Sequence, residues 1–366
     1  MKITEVNAYS LAYPVKHPYA NSGTYNRSRK ITVIEVLTDS GLVGWGEGSG
    51  APAQSDVESY VIGKSPFDYE VIYDDLSHGG RNARSACGVE IALWDLMGKA
   101  LQLPVWQLLG GARRDKVLAY ASGLFKPEGR DHADALAEEA RRYRDMGFQA
   151  VKMKMGFGPE IDEHIVSTVR SAIGNDVALA IDANCAYDPA TAIDTGKRCM
   201  PYDLLWYEEP IGPLDVDGYR MIKQALPTCR IAGAESLAGS RAFRELVQAR
   251  VLDVIQPDIS IAGGFTEMRR VAAMAFADSV RVVPHMWGGA IRLAATLHYQ
   301  ATMPDSPQAL NPLPCYCEYD MTENGLRTEL GTTFPMEDGW VKIPDGPGLG
   351  VEIDREVLHQ YTTGRS

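Results

Sequence analysis

The chain has 366 residues, 45% of them hydrophobic and 23% charged, an ordinary composition for a globular protein. Its 48 acidic and 36 basic side chains leave a net charge of −12, which argues against nucleic acid or an anionic membrane surface as the main partner. No stretch is long and apolar enough to span a bilayer, and the length suits one large or two medium domains.

A small anionic substrate is compatible with this charge, because clustered lysines or a metal invert the field locally. The six cysteines (Cys87, Cys185, Cys199, Cys229, Cys315 and Cys317) form no CxxC pair and no framework spacing. Reduced thiols in a cytoplasm are therefore expected. The opening MKITEVNAYSLAYPVK lacks the continuous apolar run of a secretory signal.

Residues 3–13 and 30–38 alternate like strands, and Thr38-Asp39-Ser40-Gly41 supplies a turn before a third strand. The spacing predicts an antiparallel meander. Between the first two strands, Pro14–Arg29 is polar and rich in turn formers, so it reads as a long loop. It offers His17, Tyr19, Asn21, Tyr25 and Arg27, each most simply a solvated loop residue. From residue 85 to 101 the pattern is helical: Ala86, Val89, Leu93 and Leu96 fall three or four apart, and Asp95 can pair with Lys99. Residues 1–115 thus form an α+β unit.

After Asp115 the rhythm becomes strand, helix, strand, helix. Val117–Ala121 reads as a strand. Asp131 can cap a helix carrying Leu136, Ala140, Tyr143 and Met146, which Gly147 ends. In Ala150–Met155, alternation sends Val151, Met153 and Met155 to one face and Lys152 and Lys154 to the other. A strand buried on both faces should be apolar throughout, so two inward ammonium groups need partners. Further strands are expected at Val177–Ala183, Leu204–Glu208, Ile231–Glu235, Val254–Asp258, Val280–His285 and near Cys315–Glu318. Their spacing is one βα unit each. Eight parallel strands over 116–324 make a TIM-type barrel. The last stretch, 325–366, returns to short strands and turns and is expected to complete the first unit as a capping domain.

Functional residues of such barrels lie at the C-terminal ends of the strands. Asp182, Glu208 and Glu235 end three consecutive ones. Singly, each is most simply a salt bridge or a helix cap. Converging, they need a cation to neutralise them, and oxygen donors suit Mg²⁺, with Mn²⁺ as the alternative. Asn184 shares the face of Asp182. Asp258 can fix the tautomer of His285, a second acid/base candidate across the mouth from the lysines. Glu318 ends the last strand and points at the same centre. Gly263-Gly264 and 346–350 read as turns.

Together these residues resemble the enolase superfamily, mandelate racemase subgroup, over nearly the whole chain. The resemblance is carried by Ile91-Ala92-Leu93-Trp94-Asp95 through Gly110-Gly111, Lys152-x-Lys154, Asp182-x-Asn184 and Trp206-x-Glu208-Glu209-Pro210. Glu235, Gln256-Pro257-Asp258 with Gly263-Gly264, and His285 complete it. It implies a (β/α)7β barrel with a capping domain and Mg²⁺-dependent removal of the proton α to a carboxylate. Lys154 would be the base on one face, and His285, with Asp258, the acid/base on the other. Lys152 would bind the substrate carboxylate, with Asn184 and Trp287 as further contacts. Glu318 would donate a hydrogen bond to the substrate carboxylate and so be protonated in the complex. A neighbouring cation and the Mg²⁺ should depress the pKa of Lys154 toward neutrality.

The motifs Lys152–Gly158, Pro284–Gly288 and Ile343–Gly350 point within that family to acid sugars and their lactones. The expected reaction is β-elimination to a 3-deoxy-2-keto acid. The alternatives are racemisation or epimerisation of a 2-hydroxy acid, and a barrel that binds an acid sugar without catalysis. A homo-oligomer is expected. Two departures from the subgroup are Ala234, where glycine is usual, and Glu90, where aspartate is common.

Overall fold

The computed structural model describes residues 1–307, 309–310 and 312–366. Its first sheet is built from Ile3–Ala20, Tyr25–Thr38 and Val43–Gly48, all antiparallel. Helix Ala83–Leu101 packs on this sheet through Val89, Leu93 and Leu96 against Ile34 and Val36. The approach is close: a Cβ on Gly46 would lie 1.8 Å from Gly88 O. Only glycine permits that contact.

The expected loop Pro14–Arg29 is mostly strand. Pairing runs through Tyr13↔Arg29 and Pro14↔Ser28, slips, then resumes at Tyr19↔Asn26 and Ala20↔Tyr25. Only the tip turns, where Asn21 Oδ1 accepts from the Gly23 and Thr24 amides at 3.0 Å each. Proline lacks an N–H for the ladder and is tolerated at such an irregularity. The turn-forming composition therefore reflects one slip and one tip.

The second unit has eight parallel strands. They are Lys116–Ser122, Ala150–Lys154, Ala178–Asp182, Leu204–Glu208, Ile231–Gly233, Val254–Ile255, Arg281–Val282 and Tyr316–Asp320. Each pairs with the next through the seventh, and the eighth pairs back to the first. Across the remaining seam, the Met286 amide donates to Glu318 Oε2 at 2.9 Å. This is the TIM-type barrel read from the strand spacing, arranged around an interior of Tyr120, Ala150, Ala180, Trp206, Ala232 and Val254. Val151, Met153 and Met155 face the surrounding helices, so Lys152 and Lys154 face inward. Asp131 caps helix His132–Asp145 by accepting from the Asp134 amide.

Strands five to seven are shorter than expected. Glu235, Asp258 and His285 lie just beyond their ends. Ala234, at φ 78°, turns the chain out of its strand. Asp258 instead caps the short helix Ile259–Ala262 through the Ser260 amide, while keeping an isolated bridge to His285.

The C-terminal stretch serves both units. Trp340–Lys342 pairs with the first barrel strand, and Thr362–Arg365 pairs with the first strand of the capping sheet. Gly263-Gly264 brings the barrel against the capping helix. The carboxylate of Glu90 there accepts from the Phe265 and Thr266 amides at 2.8 and 2.9 Å. Among the described residues, no helix is long and apolar enough to cross a membrane.

Candidate active site

Alternation on the second strand delivers both lysines to the barrel mouth, where both are buried. Lys152 Nζ lies 2.5 Å from Glu208 Oε1, 2.8 Å from Glu318 Oε1 and 3.8 Å from Asp182 Oδ2. Lys154 pairs with Asp182. Asp182 Oδ1 accepts from the Asn184 amide at 2.8 Å. Glu208 Oε2 accepts from Trp206 Nε1 and Gln256 Nε2, each at 2.8 Å.

Asp182, Glu208 and Glu235 each present an oxygen within 4.8 Å of the others. Glu235 Oε2 is buried without a hydrogen-bond partner. Buried oxygens are nearly always satisfied, so this one marks a place for a positive ligand. Charge agrees. Two lysines face four carboxylates, Asp182, Glu208, Glu235 and Glu318, and the imbalance is what a divalent cation offsets. The three carboxylates fit a hard divalent cation.

His285 approaches the far end of this row. Its Nε2 is 3.4 Å from Glu235 Oε2, and its Nδ1 is 2.7 Å from Asp258 Oδ2. The same Asp258 oxygen accepts from Arg292 Nη1 at 3.1 Å. Asp258 thus holds the Nδ1 side of the ring and leaves Nε2 to the centre.

Burial opposes charge on His285, but Glu235, Glu318 and Asp258 outweigh it and push its pKa up to about 9. Burial lifts the Glu208 carboxyl to about 7 against the pull of Lys152. Burial of the ammonium lowers the Lys154 pKa, but Asp182, Glu235 and Glu208 together outweigh it and raise the pKa. Burial would raise the Glu318 carboxyl, yet Lys152 and His285 hold it well below the usual range. Both its oxygens accept, from Ser122 Oγ at 2.6 Å and from the Met286 amide at 2.9 Å. In this arrangement Glu318 acts as an acceptor.

Of the residues predicted for the site, the structure brings together Lys152, Lys154, Asp182, Asn184, Glu208, Glu235, Asp258, His285 and Glu318. Trp287 stands to one side in an aromatic wall. Its ring centroid is 5.1 Å from that of Phe125, which is 4.7 Å from that of Tyr19. The Phe125 ring also lies 5.4 Å from Lys154 Nζ. Sequence reasoning missed Phe125, Ser122, Arg29, Arg292 and Glu47. A signal existed for two of them. Glu47 is a lone charge in Gly44-Trp45-Gly46-Glu47-Gly48, and Arg292 a lone charge in Ala290-Ile291-Arg292-Leu293-Ala294. A single charge in a buried run needs a partner.

Two family descriptions match the chain in succession. "Mandelate racemase / muconate lactonizing enzyme, N-terminal domain" covers residues 3–110, and "Enolase C-terminal domain-like" covers 135–357. The chain belongs to the enolase superfamily, in its mandelate racemase group, and is an enzyme of that family. It is similar to the D-galactarolactone cycloisomerase of Agrobacterium fabrum, 37% identical over 99% of both chains. It is also similar to the arabinonate dehydratase of Saccharolobus solfataricus, 31% identical over 98% of this chain and 99% of the other. The crystal structure of the 3,6-anhydro-D-galactonate cycloisomerase from Zobellia galactanivorans superposes with a TM-score of 0.88 at 34% identity, covering all of both chains.

Proposed function

We propose that the protein removes the proton α to the carboxylate of an acid sugar, or of an acid-sugar lactone, and expels the oxygen at the β carbon. The product is a 3-deoxy-2-keto acid. The observation that carries this reading is the placement of Lys154 and His285. Lys154 touches Asp182 at one end of the carboxylate row, and His285 approaches Glu235 at the other. A substrate carboxylate between them would present its α carbon to both.

Asp182, Glu208 and Glu235 would hold Mg²⁺, with Mn²⁺ as the alternative. When bound, the cation supplies electrostatic stabilisation for the charge that develops as the α proton leaves. Lys152 donates to the substrate carboxylate. Lys154 takes the α proton through its neutral amine. Were Asp182 engaged as a ligand of that cation, Lys154 would lose its charged partner and its neutral amine would be favoured. His285 gives a proton from Nε2 to the departing oxygen, with Asp258 steadying its Nδ1 side.

The balance is simple. The α C–H and β C–O bonds break, a carbon–carbon double bond forms, and the enol becomes the ketone. From an open acid sugar, water leaves. From a lactone joined through the β oxygen, the ring opens and nothing is lost. The cycloisomerase and dehydratase names of the similar proteins correspond to these two outcomes. Turnover of a panel of aldarates, aldonates and their lactones tests the reading. A keto acid from at least one is expected, and inverted substrate alone would establish racemisation instead.

A further inference from the structure

The segment His285–Gly289 carries the imidazole and is held at every residue. Asp258 holds His285, and Glu318 holds the Met286 amide. The carbonyl of Trp287 accepts from Arg292 Nη1 at 3.2 Å, and that of Gly288 from Asn324 Nδ2 at 2.9 Å. The Gly289 amide donates to Glu47 at 2.9 Å.

The capping hairpin adds its own grip through Arg29. The guanidinium carbon lies 3.9 Å from the Trp287 ring centroid. Nη2 donates to Asp320 Oδ2 at 2.9 Å and Nη1 to Tyr19 Oη at 3.2 Å. Arg29 is 5% exposed and Asp320 is fully buried. Asp320 Oδ2 also accepts from Asn324 Nδ2, the donor that holds Gly288. Arg29 therefore reaches the segment twice, over the Trp287 ring and through Asp320 and Asn324.

We propose that Arg29 is a positioning residue for His285. It sets the segment so that the imidazole meets the departing oxygen, while touching no reacting group itself. This inference rests on the function proposed above. The chemistry selects arginine: a planar guanidinium stacks on indole and donates to a carboxylate at once, which an ammonium does not reproduce. Loss of the stack releases Trp287, and the error falls on the His285 side. Lys154, on the second strand, keeps its own partner in Asp182.

That asymmetry is measurable. In D₂O, removal and return of the α proton labels recovered substrate and depends on Lys154. Keto acid formation needs His285 as well. The test uses the full chain with Mg²⁺, as wild type, Arg29→Lys, Arg29→Met and Arg27→Gln, followed by proton NMR. Arg27 lies on the same strand in an exposed pair with Glu128, so Arg27→Gln should leave the ratio of labelled substrate to keto acid unchanged. In both Arg29 variants the ratio should rise on the order of tenfold, the scale of a small misplacement. Should Arg29→Met not fold, Arg29→Lys, which keeps a charge for Asp320, decides alone. An unmoved ratio, with both rates falling together or neither falling, overturns the proposal. Wild type that makes no keto acid from any sugar acid or lactone would overturn the proposed function instead.

Discussion

Arg292 Nε lies 3.1 Å from Glu47 Oε1, and this ion pair joins the capping sheet to the helix that follows the seventh barrel strand. Glu47 also accepts from the amides of Gly289 and Arg292. A carboxylate from one unit thus caps helix Ala290–Thr302 of the other. Arg292 passes the contact on to Asp258 and so to His285. These buried charges are paired with one another, so removing one leaves its partner uncompensated.

Glu47→Gln should therefore destabilise the protein by about 3 kcal/mol, within the range for breaking a buried ion pair from one side. Denaturant titration monitored by tryptophan fluorescence measures it. A change below about 0.5 kcal/mol, the size of an ordinary surface substitution, would show that the contact does not hold the units together.

Ala234 should be a site of easy stabilisation. Its φ of 78° is a conformation that costs a residue with a Cβ roughly 1–2 kcal/mol. Ala234→Gly relieves that strain and gives back part of the gain as chain entropy. A net rise of about 1 kcal/mol in stability is expected by the same denaturant titration. A loss would mean that the Cβ packs well enough to offset its strain.

His298 should make stability fall in acid. It is buried, accepts from the Trp106 amide at 3.2 Å, and burial lowers its pKa from 6.5 to about 4. Above pH 6.5 both folded and unfolded states are neutral, and the group contributes no pH dependence. Between 6.5 and 4 the unfolded state takes up the proton and the folded state does not, so stability declines as pH falls. The full effect is about 3 kcal/mol. His298→Gln, which keeps an acceptor for the Trp106 amide, should flatten the profile in that window. An unchanged slope would place the acid sensitivity elsewhere.

Much of the site was legible because a parallel barrel turns sequence order into spatial order. One charged residue per βα unit, in or just beyond each strand, brought Lys152, Asp182, Glu208, Glu235, Asp258, His285 and Glu318 to one mouth. Alternation alone separated the inward lysines from Val151 and Met153. What escaped was contact between units. The hairpin at Pro14–Arg29 looked like a loop because a proline at a slip and turn residues at a tip resemble continuous turn composition. Arg29 and Glu47 acquire meaning only when the capping sheet meets the barrel, and no local pattern encodes that meeting.

The carboxylate trio should govern metal affinity. Asp182→Asn, Glu208→Gln and Glu235→Gln should each weaken Mg²⁺ binding at least tenfold, since even outer-shell partners of a metal are worth that much. Calorimetric titration of chelator-treated protein measures it directly. Unaltered affinity in all three would remove the trio as the metal site.

The central claim is that Lys154 takes the α proton and His285 completes the elimination. Proton NMR of wild type, Lys154→Ala and His285→Asn in D₂O, with Mg²⁺ and an accepted sugar acid or lactone, tests it most directly. Wild type should form a 3-deoxy-2-keto acid. Lys154→Ala should form none and leave the α proton unexchanged. His285→Asn should form little keto acid yet return substrate carrying deuterium at the α carbon. Normal keto acid formation by Lys154→Ala would contradict the account.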